Sequence, residues 1–473
     1  MSRRAWTLVA ALVVLGGLVG GYLWLARPRT VSPAAAADRI ALSTGAKDSL
    51  VKIVLTGRVE STLTLVKNAK AWSVEPRAPA GVTFDAGTID DLAASFTGLY
   101  AETVIDEKPA DLAQYGLQPP KATAVGTFSD GSAHTLLLGD KTPTGGACYL
   151  QVKGDPKVYT VGTFIGERLR WTANDLRSRA IEPSINYDEI VSLKVVRGDG
   201  TVIEVRAKTA EEATSFQLGF GKYLVTRPYA YPRGLDAEKQ DQFVKGMQGL
   251  RISSFVDDEP KDLAKYGLAR PWGEAIVRDK ATTLDVLFGA KKDASQTYFM
   301  IRGKPSVYST DTSSIPFMNT RPFEVVDKFA FIPNIEDVDT IDVTAAGRVH
   351  ALVITRTAKK AEKAGEPDEV AAAYTVDGRD APEDSFKRFY QALIGLQIEG
   401  EVKRQVPDRA EVSVRYTLNK GTARTVTLEF APYDLDFHAI FMNGVSVFAL
   451  TRGQVNRMLA KLELLVKGET LPD

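Results

Sequence analysis

Pro109-Ala-Asp-Leu-Ala-Gln-Tyr-Gly-Leu117 returns later in the chain as Pro260-Lys-Asp-Leu-Ala-Lys-Tyr-Gly-Leu268. The offset is 151 residues at both ends (260 − 109 and 268 − 117). A segment recurring at constant spacing over that length marks a duplicated domain, and it sets the organisation of the chain before any element is assigned.

Matches spread outward from the motif. Trp72-Ser-Val74 pairs with Tyr223-Leu-Val225, and Gly98-Leu99 with Gly249-Leu250, at the same offset of 151 (223 − 72 and 249 − 98). Farther on, the register slips through loop changes: Leu138-Gly139 answers to Phe288-Gly289, Tyr149 to Tyr298, and Val158-Tyr159 to Val307-Tyr308. A third, divergent copy holds Tyr374-Thr-Val376, Gly395-Leu396 and Val447-Phe448 but no Tyr-Gly-Leu. With 473 residues the chain is too long for one ordinary core. The expected division is an anchor and tether over 1–37, then units over 45–182, 183–331 and 332–468.

Each unit repeats one order of elements. Strands open it: Val51 to Thr56 and Ser61 to Val66, then Ile190 to Val196 and Thr201 to Arg206, then Thr340 to Val343 and Val349 to Thr355. The alternation in Thr62-Leu-Thr-Leu-Val66 and Thr201-Val-Ile-Glu-Val205 suits strands with one buried face, and Gly198-Asp-Gly200 suits a turn between two of them. A helix follows. Its inward stripe is Leu92, Phe96 and Leu99 in the first unit and Phe243, Met247 and Leu250 in the second. In the third the stripe is Phe386, Phe389, Leu393 and Leu396. Thr88 with Asp91, and Asp380 with Glu383, have capping spacing. A strand meander closes the unit, in the first over Ala122 to Phe128, His134 to Leu138, Tyr149 to Val152 and Lys157 to Val161. Lys359 to Glu369 reads as a charged loop. The expectation is α+β: an N-terminal transmembrane helix, then three tandem β-rich units, each an antiparallel sheet with a packed helix.

The duplicated motif has a structural explanation. Pro109 suits a first helical turn, and Asp111 lies near its positive end. Gly116 can take the left-handed conformation that ends a helix, with Leu112 and Leu117 touching across a Schellman cap. Tyr115 packs under the next strand, and Pro120 stops helical continuation. Asp262, Leu263, Tyr266, Gly267, Leu268 and Pro271 repeat the set. The same residues, Asp111, Tyr115, Gly116, Leu117 and Pro120 with their second copies, are the weak interaction candidates of this chain.

Other chemistry is sparse. His134, His350 and His438 stand at non-equivalent places without metal-ligand spacing, and they read as strand histidines. Asp434-Leu-Asp436 and Asp257-Asp258-Glu259 lack the alternating ligands and turn glycine of a calcium loop. Gly139-Asp-Lys141 and Gly145-Gly146 lack the strand–GxxxxGK[ST]–helix setting of a phosphate loop. No GxSxG elbow presents a serine. The single Cys148 excludes an intramolecular disulfide framework and a CxxC pair. No catalytic residue, metal ligand or cofactor is assigned.

The N-terminal segment points to a membrane. Arg3 and Arg4 precede Trp6 to Leu25, an uncharged apolar run of the ~20 residues that a spanning helix needs. It is longer than the roughly 7–15 apolar residues of a cleaved signal. Gly16, Gly17, Gly20 and Gly21 form small-xxx-small pairs that would let two copies pair as a homodimer. Arg27 to Ala37 is a Pro/Ala-rich tether. Four of the 59 basic residues and none of the 59 acidic ones precede residue 38, so the remainder carries 55 − 59 = −4. That balance argues against a nucleic-acid surface.

Taken together, the anchor, the aromatic-x-Val strand, the helix ending Gly-Leu, Asp-Leu-x-x-Tyr-Gly-Leu-x-x-Pro, Leu-Gly and Val-Tyr give a chain that resembles the bacterial domain-of-unknown-function family numbered 4340. The resemblance covers most of residues 50–331, with the third unit departing by its missing Tyr-Gly-Leu. It implies an envelope protein beside an ABC transporter of the gliding-motility auxiliary type, and it supplies no catalytic residues. The expectation is a single-pass inner-membrane protein with its β-rich arm on the periplasmic side, binding transporter subunits or envelope components. Two alternatives stand beside it. One is an envelope hydrolase with a site between units. The other is a ligand- or polymer-binding module using exposed aromatics such as Tyr229, Tyr231 and Trp272, which serve equally as inter-unit packing.

Overall fold

The structure, a computed structural model, describes residues 40–472 apart from 59–60, 70, 78–81, 215, 360–368, 404–408 and 421–422. The apolar run Trp6 to Leu25, the glycine pairs within it and the tether therefore lie outside the described residues. Among the described residues no helix is long and apolar enough to cross a membrane.

Alternating sequence becomes sheet. Ala122–Phe128 buries every second side chain along its whole length, as does Val412–Leu418 in the third copy of the pattern. Such strands assemble into four antiparallel sheets with helices laid against them, an α+β build. The first large sheet runs Ala71–Glu75, Ser61–Asn68, Leu50–Arg58, Ala122–Phe128, Ala133–Lys141, Ala147–Val152, Val158–Gly162, Thr103–Asp106. The second runs Arg233–Gly234, Tyr223–Arg227, Val202–Ala207, Ile190–Arg197, Gly273–Asp279, Thr283–Lys291, Gln296–Ile301, Val307–Asp311, Ser254–Asp257. The third runs Arg379–Asp380, Glu369–Val376, Arg348–Lys359, Val338–Ala345, Val412–Leu418, Thr425–Pro432, Phe437–Met442, Val445–Thr451, Gly400–Glu401.

One path generates all three orders. The chain starts at the centre and winds outward by hairpins to one edge. It crosses on a helix, lays a short strand at the opposite edge, returns to the centre and meanders out to meet that strand. The short far-edge strands Thr103–Asp106, Ser254–Asp257 and Gly400–Glu401 have no clear alternation in sequence; their place is set by the crossover. A small fourth sheet pairs Ile40–Thr44 with Gly98–Ala101. Tight hairpins fall where positive φ is cheap, as at Asn443-Gly444 with φ 50° and 82°.

Helix starts differ from the capping spacings. Ala86–Thr97 is capped by Asp85, whose Oδ1 accepts from the Thr88 amide at 2.7 Å, so Thr88 lies inside the helix. Glu383–Ile394 follows Pro382 with no side-chain cap, while Asp380 belongs to an edge strand. In the second unit the stripe Phe243, Met247 and Leu250 is buried, but it rides on a single α turn, Gln240–Val244, followed by the 3₁₀ turn Gly246–Gly249. Gly246 explains part of this break: glycine is a poor helix former, and Phe317 packs where its Cβ would be. The closing helix Arg452–Val466 carries no motif of the repeat; it packs its own apolar stripe, Val455, Met458, Leu462 and Leu465, inward.

Two compact units result, one ending at Ser178 and one beginning at Arg179. The first has its own core around Leu50, Ile53, Leu65, Leu92, Phe96 and Leu150, with Cys148 inside it. The second has one core that runs without a break through the second and third large sheets, from Ile185 to Leu471.

Candidate functional site

The duplicated motif forms the same turn twice. Ala113–Tyr115 is a 3₁₀ turn, and Gly116 follows it at φ 66°; Ala264–Tyr266 and Gly267 at φ 68° repeat it. The Leu117 amide donates to the Leu112 carbonyl at 3.1 Å and the Gly116 amide to Ala113 at 2.9 Å, the two bonds of a Schellman cap. Leu268 and Gly267 make the same pair with Leu263 and Ala264 at 2.9 and 3.0 Å. Asp111 and Asp262 each accept the amide two residues on at 2.8 Å, which places them at the start of the turn rather than within it. Pro109 precedes the turn, Pro120 bridges back to Leu117, and Pro271 leads into Gly273–Asp279.

Around this turn a fixed group assembles in both copies. The Tyr115 hydroxyl donates to Asp106 Oδ2 at 3.1 Å and that of Tyr266 to Asp257 Oδ2 at 2.7 Å. Their rings meet Tyr149 and Tyr298 edge-on at 5.0 and 5.2 Å. The hydrogen bond to the Asp257 carboxylate holds the Tyr266 phenol above its ordinary value, with burial adding to it; for Tyr115 burial leads and Asp106 adds to it. Both phenols therefore stay protonated donors. The repeated Leu-Gly has its reason here too. A Cβ on Gly139 would run into the Tyr115 carbonyl oxygen, and one on Gly289 into that of Tyr266. The turn thus pins the far-edge strand to the meander.

A second polar cluster lies at the seam of the second and third sheets. Tyr229 is buried, donates to Glu401 Oε1 at 2.8 Å and packs 4.8 Å from the Phe448 ring. It is not an exposed aromatic. Arg233 is also buried and donates to the carbonyls of Asp327, Phe329 and Ala330, with Phe448 5.4 Å from its guanidinium. Neighbouring Lys328 lies over the Phe323 ring, and burial holds its amine down at about 8. The seam's concavity, lined by Arg233, Asp327 and Phe329, has only about 30 Å³, room for one water. Tyr231 is half-buried, and Trp272 leads into Gly273–Asp279, its backbone paired with Phe288 and Gly198 and its side chain packed against the shared core.

The remaining candidates are placed apart. His134 meets Ser43 Oγ at 2.7 Å, His350 meets Asp377 at 2.8 Å and His438 meets Glu411 at 3.2 Å, each on its own strand. Asp434 spends its carboxylate on the amides of Asp436 and Phe437, and Asp257 on the Glu259 amide and the Tyr266 hydroxyl. Lys141 is paired with Glu167 at 3.1 Å and Asp140 with Lys121 at 3.5 Å. Among the described residues no three His, Cys, Asp or Glu side chains are grouped to hold a metal.

One open concavity is not signalled by the sequence. A groove of about 900 Å³ in the first unit runs between the Ala86–Thr97 helix and the edge strand Ala71–Glu75, over Trp72, Phe84, Ile89 and Ala93. Lys47–Asp90 at 3.0 Å and Lys67–Asp48 at 3.6 Å stand at its rim.

The model of a domain of unknown function, DUF4340, matches residues 72–256 and 223–420. The matches begin on Trp72 and Tyr223, 151 residues apart like the Pro109 and Pro260 motifs (223 − 72); the first ends in the second sheet and the second runs well into the third. No curated protein and no solved structure matches the chain.

Proposed function

The chain belongs to the DUF4340 family, and from that premise we propose that it is a membrane-anchored accessory protein whose β-rich arm binds subunits of an ABC-type transport system or other envelope components. The observation that carries this reading is the tandem build: three large sheets of one strand order behind an uncharged apolar run. Repeated units offer large binding faces and commit few residues to chemistry. In this reading Trp6 to Leu25 spans the inner membrane, residues 45–182, 183–331 and 332–468 form the arm, and the arm lies on the periplasmic side. The seam between the second and third sheets is packed by Tyr229 and Arg233, which supports reading that aromatic as inter-unit packing within a binding arm. Purification of the full-length chain from membranes in gentle detergent tests the reading. Transporter subunits or an envelope component should copurify in stoichiometric amount. A lone monomer would sink it.

A further inference from the structure

The three sheets carry an aromatic residue at one position of the third strand: Trp72, Tyr223 and Tyr374. In the third sheet this ring is covered. Tyr374 is buried, 4.7 Å from the Phe386 ring, and Tyr390 on the same helix is buried with its hydroxyl on the Pro333 carbonyl at 2.6 Å. Aligning the inward stripes, Leu92, Phe96 and Leu99 on Phe389, Leu393 and Leu396, puts Ile89 where Phe386 stands and Ala93 where Tyr390 stands. The smaller pair is itself buried and lies on the floor of the groove of about 900 Å³ beside Trp72.

The adjoining edge differs in the same sense. The second and third sheets continue past this strand with Arg233–Gly234 and Arg379–Asp380, which pair with Leu224 and Val225 and with Thr375 and Val376. Among the described residues the first sheet ends at Ala71–Glu75. Val82 and Thr83 stand 151 residues before Arg233 and Gly234, and Thr83 accepts the Ser178 amide as Gly234 accepts that of Asp327. They nevertheless join no ladder.

We propose that the first unit docks an extended polypeptide segment of a partner here, added as a strand to Ala71–Glu75 with one aromatic side chain seated over Trp72, Phe84 and Ala93. The sister sheets identify the occupant: at the same edge they hold a strand, and in the same space the third holds rings. Main-chain pairing at a sheet edge supplies affinity, and the pocket for one side chain supplies selectivity. The rim charges neutralise each other in pairs, which suits an uncharged segment. The proposal deepens the interaction reading and rests on it.

A random dodecapeptide library panned against the full-length chain in detergent tests it. Peptides rich in β-branched residues around one Phe or Tyr should be enriched. A labelled winner should protect the amides of 71–75 from hydrogen exchange. Ala93→Tyr, which fills the groove as Tyr390 does, should weaken binding by about tenfold or more, with Trp72→Ala carrying the comparison if Ala93→Tyr melts early. No enrichment, equal binding by both variants, or displacement by the neutral oligosaccharide chitotetraose would overturn it. Copurification of transporter or envelope partners through another face would leave the accessory reading standing without this site.

Discussion

Gly116 and Gly139 sit back to back in the first unit, and both are dictated by the same turn. Gly116 occupies the left-handed region, where a Cβ would also meet the Asp140 carboxylate, while Gly139 gives room to the Tyr115 carbonyl. Gly116→Ala should cost about 1–2 kcal/mol from backbone handedness. Gly139→Ala should cost about 1–3 kcal/mol, because the turn must shift off the strand. Thermal melts of both variants check this, and unchanged melting would return the motif to the list of binding sites. The αL glycine was legible because Tyr-Gly-Leu-x-x-Pro has cap chemistry. The close-approach glycine was visible only as a repeated Leu-Gly, with no local reason for it.

Short elements in this chain are held by side chains that the 3.6-residue period does not report. Ala210–Ala213 is one turn long and depends on a capping box between Thr209 and Glu212, with Arg206 clamping both Glu212 oxygens at 2.7 Å. The Arg206 guanidinium holds the Glu212 carboxyl down at about 2. A carboxylate whose folded value lies below its unfolded value of about 4.3 stabilises above that value and loses its effect as pH falls toward the folded one. Glu212→Gln should therefore lower the urea midpoint at pH 7 and have progressively less effect between about pH 5 and 2. An equal loss at pH 7 and pH 2.5 would contradict the ion-pair account. The same limit of the period explains the broken helix at Gly246: the stripe Phe243, Met247, Leu250 reports a buried face, not a continuous helix.

At the scale of the molecule, the second and third sheets share one core, closed by Tyr229 and Arg233 reaching onto the third sheet and its lead-in segment. Truncating a buried ring such as Tyr229 to Ala should cost about 3–5 kcal/mol. A fragment from Arg179 to Asp473 should unfold in a single calorimetric transition that the variant moves as a whole. Two separate transitions in that fragment, or a variant that shifts only part of one, would show that the sheets fold independently.

The sequence by itself determined the sheet-rich α+β class, the 151-residue repeat, most strands and the left-handed turn, because alternation and cap residues are local physical requirements. Tertiary structure decided the rest. The far-edge strand, the fusion of two sheets into one core and the burial of Tyr229 depend on partners 50 to 220 residues away, as Tyr229 and Phe448 are. The groove over Trp72 has Ala93 on its floor where a sister helix has Tyr390. A missing ring leaves no local signal in a sequence; it becomes visible when the packed copies are laid side by side.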